Sequence, residues 1–185
     1  GYWYMLYDGM KDGIDGEYGT VVYLARAKYI HGPYFRFTTE NKWEDEGSTK
    51  PARAMIYKKR WQKKYGVGQQ SIVVANPGTP NRMFYVWFID NTGLTGQWKD
   101  DNGNIHYYLK LKFTAVNDLR LLSYANSYDA SIYDNSTASY TVLSKHYPIL
   151  GDVRYNTSTG KFEMWSANYG EPQEKTEMSV FKYES

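Results

Sequence analysis

Met83-Phe84-Tyr85-Val86-Trp87-Phe88-Ile89-Asp90, followed after a polar loop by His106-Tyr107-Tyr108-Leu109-Lys110-Leu111-Lys112-Phe113-Thr114-Ala115, decides the reading of this chain. The first stretch is a short aromatic and β-branched run that ends at Asp90-Asn91. The second alternates apolar and polar residues, the period of a half-buried strand. The same pairing recurs on both sides. Tyr2-Trp3-Tyr4-Met5-Leu6-Tyr7-Asp8 precedes Thr20-Val21-Val22-Tyr23-Leu24-Ala25-Arg26-Ala27-Lys28. Lys161-Phe162-Glu163-Met164-Trp165-Ser166-Ala167 precedes Met178-Ser179-Val180-Phe181-Lys182-Tyr183. Each unit is an aromatic strand, a polar loop of roughly ten residues or more, and a second strand, repeated about every 80 residues.

Strands are expected over 2–7, 20–27, 34–38, 54–57, 71–75, 83–89, 106–114, 120–124, 140–143, 152–155, 161–166 and 178–183. A short strand precedes the aromatic one in two units, at 71–75 and 152–155. Asp100-Asp101-Asn102-Gly103-Asn104 and Thr157-Ser158-Thr159-Gly160 have hairpin-turn chemistry, with Gly103 free to take positive φ. The one helix candidate, 52–64, mixes Tyr, Trp and Ile without a clean apolar stripe. The fold class is therefore antiparallel all-β. It is read as a single all-β domain or domain fragment, with blade-like units at about 1–65, 66–145 and 146–185; a β-sandwich is the alternative. The strand pattern starts at Tyr2 and is still running at Tyr183, so both ends read as cuts through structure.

Composition narrows the function classes. Aromatics make up 18% of the 185 residues, with 20 Tyr and 6 Trp. Tyr and Trp suit half-buried strands and also surfaces that stack on sugar rings. A net charge of +2 with 23% charged residues fits neither a dedicated nucleic-acid binder nor a disordered chain. With no Cys, disulfides and thiolate metal sites are excluded. No apolar run approaches the roughly 18 residues of a membrane-spanning helix, so a membrane partner is not expected.

Ala75-Asn76-Pro77-Gly78, then Phe84-Tyr85-Val86-Trp87-Phe88, resembles the blade opening of the five-bladed β-propeller glycoside hydrolases, the arabinanase, invertase and levansucrase groups. In that family a D-P or N-P pair on the innermost strand precedes a strand of the form Y-Y-M-Y-Y-S/D-G. Tyr4-Met5-Leu6-Tyr7-Asp8-Gly9 is similar to that second strand. Val22-Tyr23-Leu24-Ala25-Arg26-Ala27 and His31-Gly32-Pro33-Tyr34 are similar to the third strand and blade exit. Leu150-Gly151-Asp152-Val153-Arg154-Tyr155 is similar to another opening, with the acid on the inner strand. The resemblance covers most of the chain in patches. It implies propeller-like blades forming part of a ring, a glycan partner, a secreted or extracellular setting and no cofactor. Asn76 stands where the family often has a catalytic Asp, and the family's internal E-G-P is not found.

Glycoside hydrolysis needs two carboxyl groups facing each other across the scissile bond. Asp152 is the best-placed acid, with Arg154 two residues on and on the same strand face. The pair either serves a substrate or is a salt bridge at a strand start. Glu163, mid-strand between Phe162 and Met164, is the second catalytic candidate; an outward, solvated residue is the alternative. Asn76, Arg154, Trp87, Asp90 and His31 are the substrate contacts that go with the resemblance. Trp98, between Gly96-Gln97 and Lys99-Asp100, is the candidate for stacking on a sugar. Core packing is the alternative for Trp87, and a hairpin-end role for Asp90 and Asp8. His31, His106 and His146 fit no zinc spacing. Lys58-Lys59-Arg60-Trp61-Gln62-Lys63-Lys64 is the one basic cluster, and the acids upstream, such as Glu40 and Glu44, can neutralise it. No Gly-rich phosphate loop is found.

Two functions are therefore expected: a carbohydrate-active or carbohydrate-binding propeller, or a non-catalytic structural or adhesion module of an extracellular assembly or virion. Nucleic-acid binding through the basic cluster is the weaker third.

Overall fold

A computed structural model describes residues 1–11, 18–45, 47–60, 66–92, 97–99, 105–107, 109–130, 132–134, 139–141, 143–144, 147–169 and 178–183. Side chains are described for 1–11, 18–45, 47–60, 66–92, 110–130 and 152–164. In chain order the strands are β1 (Trp3–Lys11), β2 (Gly19–Ala27), β3 (Phe35–Phe37), β4 (Trp43–Glu44), β5 (Val67–Ala75), β6 (Met83–Asp90), β7 (Gln97–Lys99) and β8 (Ile105–Tyr107). They continue with β9 (Leu109–Val116), β10 (Tyr128–Asp129), β11 (Ile132–Asp134), β12 (Ser139–Thr141), β13 (Leu143–Ser144), β14 (Tyr147–Asn156), β15 (Lys161–Tyr169) and β16 (Met178–Tyr183).

The pairings are antiparallel, as the alternating patterns and tight turns require. The first sheet runs β1-β2-β3-β4. The second runs β10-β9-β6-β5, with β13 also on β9; β7 and β8, which lie between β6 and β9 in the sequence, pair as a separate two-stranded sheet. The third runs β12-β11-β16-β15-β14. Each aromatic pair of the sequence is a neighbouring strand pair: β1 with β2, β6 with β9, β15 with β16. The short preceding strands lengthen to β5 and β14, and each pairs with its aromatic strand.

The sheets stack face to face, and the aromatic run of β6 explains why. Its Phe84, Val86 and Phe88 point to the first sheet, where they bury with Val22, Leu24, Phe37 and Ile56. Its Tyr85, Trp87 and Ile89 point to the third, against Val153, Met164 and Phe162. A strand covered on both faces has no reason to alternate apolar with polar, hence the continuous run. Full burial of each large apolar side chain contributes about 1.5–3 kcal/mol. Trp87, 1% exposed, meets the Phe162 ring edge-on at 4.7 Å and Phe113 at 5.2 Å.

β5 is the strand at which the three sheets meet. Val153 of β14 donates its backbone N–H to Ser71 Oγ at 3.0 Å. Gln69 N–H donates to Asp8 Oδ2 of β1 at 3.0 Å, from a bulge where Gln69 takes φ +52°. Just ahead, Gly66 at φ +144° lies so close to β2 that a Cβ would stand 2.2 Å from the Thr20 carbonyl oxygen.

Three expected elements are corrected: the strands over 120–124 and 54–57, and the helix candidate over 52–64 as far as residue 60. Residues 120–124 do not form a strand. Asp118 and Ser123 cap two single 3-10 turns, Leu119–Leu121 and Tyr124–Asn126, by accepting from Arg120 N and Ala125 N. Leu119 and Leu122 then drop into the first core. Residues 52–60 form neither helix nor strand, and 61–64 lie outside the described residues. Isolated bridges at Ala52 and Ile56 tie the segment to Thr38 and Val22, burying Ala54, Met55 and Ile56. β4, β7, β10 and β11 are two or three residues long, too short for periodicity to mark.

Candidate functional site

Asp152 and Arg154 occupy the outward face of β14, 52% and 72% exposed, with Arg154 Nε donating to Asp152 Oδ2 at 2.8 Å. Glu163 of β15 stands opposite Arg154 in the register and therefore diagonal to Asp152. Diagonal neighbours on one face lie about 7–8 Å apart, within the range of an inverting carboxyl pair. The local bonding opposes that role. Asp152 is held by Arg154, and Glu163 Oε1 accepts from Asn156 Nδ2 at 2.8 Å. Asn156 is itself the hub of the turn, taking the N–H of Ser158. These bonds brace a hairpin on an open sheet face.

The other expected contacts do not join them. Asn76 follows β5 in the turn to β6, at φ +50°, donating to the Asn81 carbonyl. It is not on an inner strand, and about five residues of extended chain, roughly 16 Å, separate it from Ser71 beside β14. His31 is exposed in the turn after β2, stacked on Tyr29 at 5.7 Å. Trp87 is core, with its ring taken up by Phe113 and Phe162. Trp98 lies on β7, opposite His106 of β8, and its side chain lies outside the described residues, as do Trp61, His146 and the 100–104 turn.

Asp90 is fully buried, so it cannot meet a ligand directly. Its Oδ1 accepts the Thr92 N–H at 2.9 Å. Its Oδ2 accepts Lys58 Nζ at 2.8 Å and the Tyr124 hydroxyl at 2.5 Å. Burial pushes this carboxyl up, but the bonds from Lys58, Tyr124 and Thr92 outweigh it and hold the pKa below the ordinary Asp value. Tyr124 moves the other way, raised by burial and by its bond to Asp90. Lys58 and Lys112 sit over the Tyr124 ring at 4.9 and 5.0 Å, and Lys112 also bonds Asp129 at 2.7 Å. This network ties the segment at 58 to the second sheet.

Two clefts are lined by described residues. The larger, about 660 Å3, opens at the Lys11 end of β1 and is lined by Met10, Lys11, Tyr23, Arg53, Tyr57 and Ser123, among others. No carboxylate is among its described lining residues. Met10 and Tyr57 are exposed, and Lys11 Nζ lies over the Tyr57 ring at 4.6 Å. Tyr23 stacks on Tyr7 at 5.4 Å over the bare backbone of Gly9, where a Cβ would strike the ring at 2.6 Å. Burial pushes the phenol of Tyr23 up, and its hydroxyl donates to the Met10 carbonyl at 3.4 Å. The second cleft, about 160 Å3, lies at the other end of β1, between Tyr4, Arg26, Trp43, Arg82, Asp118 and Arg120.

Sequence reading missed both clefts. A trace of the second was present: pairing the first aromatic strand with its partner sets Tyr4 opposite Arg26. Arg82 and Arg120 come from a turn and a 3-10 segment that no strand pattern marks. Among the described residues no group of three or more His, Asp or Glu gathers as a metal site. The chain matches no protein-family model, no curated protein and no solved structure.

Proposed function

We propose that this protein is a glycan-binding β-module of propeller-like construction that holds an oligo- or polysaccharide in the larger cleft without cleaving it. The observation that carries the reading is the composition of that cleft. Exposed Tyr57 and Met10, together with Tyr23, offer apolar surface, while Lys11, Arg53 and Ser123 supply donors. Sugars need that combination: ring C–H faces on aromatics, hydroxyls on fixed polar groups. The described lining offers aromatic faces and hydrogen-bond donors rather than a facing pair of carboxyl groups, which supports a binding reading.

The propeller part of the reading is supported by consecutive antiparallel sheets stacked face to face, with β5 and β14 side by side. A partial ring of the five-bladed, sugar-acting kind would have that arrangement, and it goes with an extracellular setting. The test is retention in gels containing a panel of neutral and acidic polysaccharides. Retention lost in Tyr57→Ala and kept in Asp152→Asn is expected. Reducing-sugar release that disappears in Asp152→Asn would overturn the binding-only reading in favour of a hydrolase.

One observation favours an assembly role instead. β1 is an edge strand, with Trp3 53% exposed and Tyr2 and Met5 exposed beside it. No glycan retention, with a concentration-dependent larger species on sizing, would support that reading.

A further inference from the structure

The second cleft concentrates positive charge to no evident structural purpose. Three guanidinium groups, those of Arg26, Arg82 and Arg120, face one carboxylate, that of Asp118. Asp118 is committed to Arg120, which bonds both of its oxygens. Arg26 has no carboxylate partner among the described residues; its guanidinium is held between the Tyr2 and Trp43 rings, 4.3 Å from each centroid. Arg82 lies over Phe84 at 4.8 Å, and its Nε is buried with no hydrogen-bond partner among the described residues. A buried donor left unsatisfied costs about 1–3 kcal/mol, so an acceptor from outside would remove a penalty as well as add a bond. Stacking on rings fixes the guanidinium planes in advance, which lowers the cost of ordering them around an anion.

We propose that this cleft binds the carboxylate or sulfate group of an acidic sugar residue. At about 160 Å3 the cleft is smaller than the roughly 300 Å3 at the low end for drug-sized ligands, and suits a single charged ring or its substituent. Tyr4, exposed and lining the cleft, offers aromatic surface to the ring. Planar guanidinium groups match the paired oxygens of carboxylate and sulfate. The sugar part rests on the glycan reading; the anion part rests on the arginines alone. The site lies at the opposite end of β1 from the larger cleft, so the two are separable by mutation.

The test is calorimetric titration of the intact chain with uronate oligosaccharides, sulfated oligosaccharides, neutral oligosaccharides of equal length, inorganic sulfate and single-stranded DNA. Acidic sugars are expected to bind at least tenfold more tightly than neutral ones, with affinity falling as salt rises. Arg82→Gln is expected to remove that preference. Asp118→Asn, which keeps the turn cap, frees Arg120 and is expected to tighten acidic binding several-fold. A purely structural role for the cluster predicts no tightening. Uronate and sulfated arms report which oxyanion is preferred. Binding of neutral sugars alone would overturn the inference and leave the glycan reading standing. Binding of inorganic sulfate alone would overturn the sugar assignment. Tighter binding of DNA than of any sugar would overturn both readings, as would no binding at all.

Discussion

The carboxylate of Asp90 takes three hydrogen bonds inside the protein, from Thr92, Lys58 and Tyr124. Its pKa is depressed in the folded state. A depressed carboxylate stabilises the fold above the unfolded value, near pH 4, and that stability is lost as the pH falls through the folded value. Asp90→Asn is therefore expected to cost about 2–3 kcal/mol at neutral pH and to flatten the acid limb of a stability-versus-pH curve from urea melts. An unchanged acid limb would mean that Asp90 is not the linked group. The bond to Thr92 was legible, because an Asp at a strand end commonly takes a backbone N–H two residues on. Lys58 and Tyr124 were not, being 32 and 34 residues away with no pattern joining them. Glycine gives a second test. Gly66→Ala meets both a positive φ and the Thr20 backbone, whereas Gly78→Ala, at φ +78°, meets open space. The first is expected to cost well over 3 kcal/mol or prevent folding, the second about 1 kcal/mol, read from denaturant midpoints.

At the scale of elements, the repeated strand pair was the readable unit because period and aromatic content are local properties. Its register follows from antiparallel pairing, Trp3 to Ala27 in the first unit and Phe84 to Val116 in the second. What local pattern missed is the 118–127 stretch, whose leucines read as strand until Asp118 and Ser123 are recognised as caps. Trp87 also reads ambiguously, since an aromatic on a strand serves either a core or a surface. The stack decides it: Trp87→Ala is expected to cost about 3–5 kcal/mol, while Trp3→Ala on the exposed edge strand changes stability by less than about 0.5 kcal/mol. Equal losses in thermal melts would contradict the placement of β6 in the middle layer. Native-state hydrogen exchange tests the same point. β6 and β9 amides are expected to exchange last and those of β1 earlier, since among the described strands β1 is paired along one edge only.

For the whole molecule, the arrangement that matters is the first and third sheets packed on either side of the β5–β6 pair of the second, with a cleft at each end of β1. The sequence carried the sheet content, while the clefts arise where turns from separate units converge, and composition alone does not announce such places. Asp152 and Glu163, chosen by resemblance, do share one strand face, but each is held by a neighbour within its own hairpin. The most direct test of ligand placement is a two-dimensional amide NMR titration of the 185-residue chain with an acidic oligosaccharide. Glycan binding at the two clefts predicts shift changes at Met10, Tyr23 and Tyr57 and at Tyr4, Arg26, Arg82 and Arg120, with Asp152, Arg154 and Glu163 unmoved. Changes centred on Asp152 and Glu163, with both clefts silent, would contradict the account.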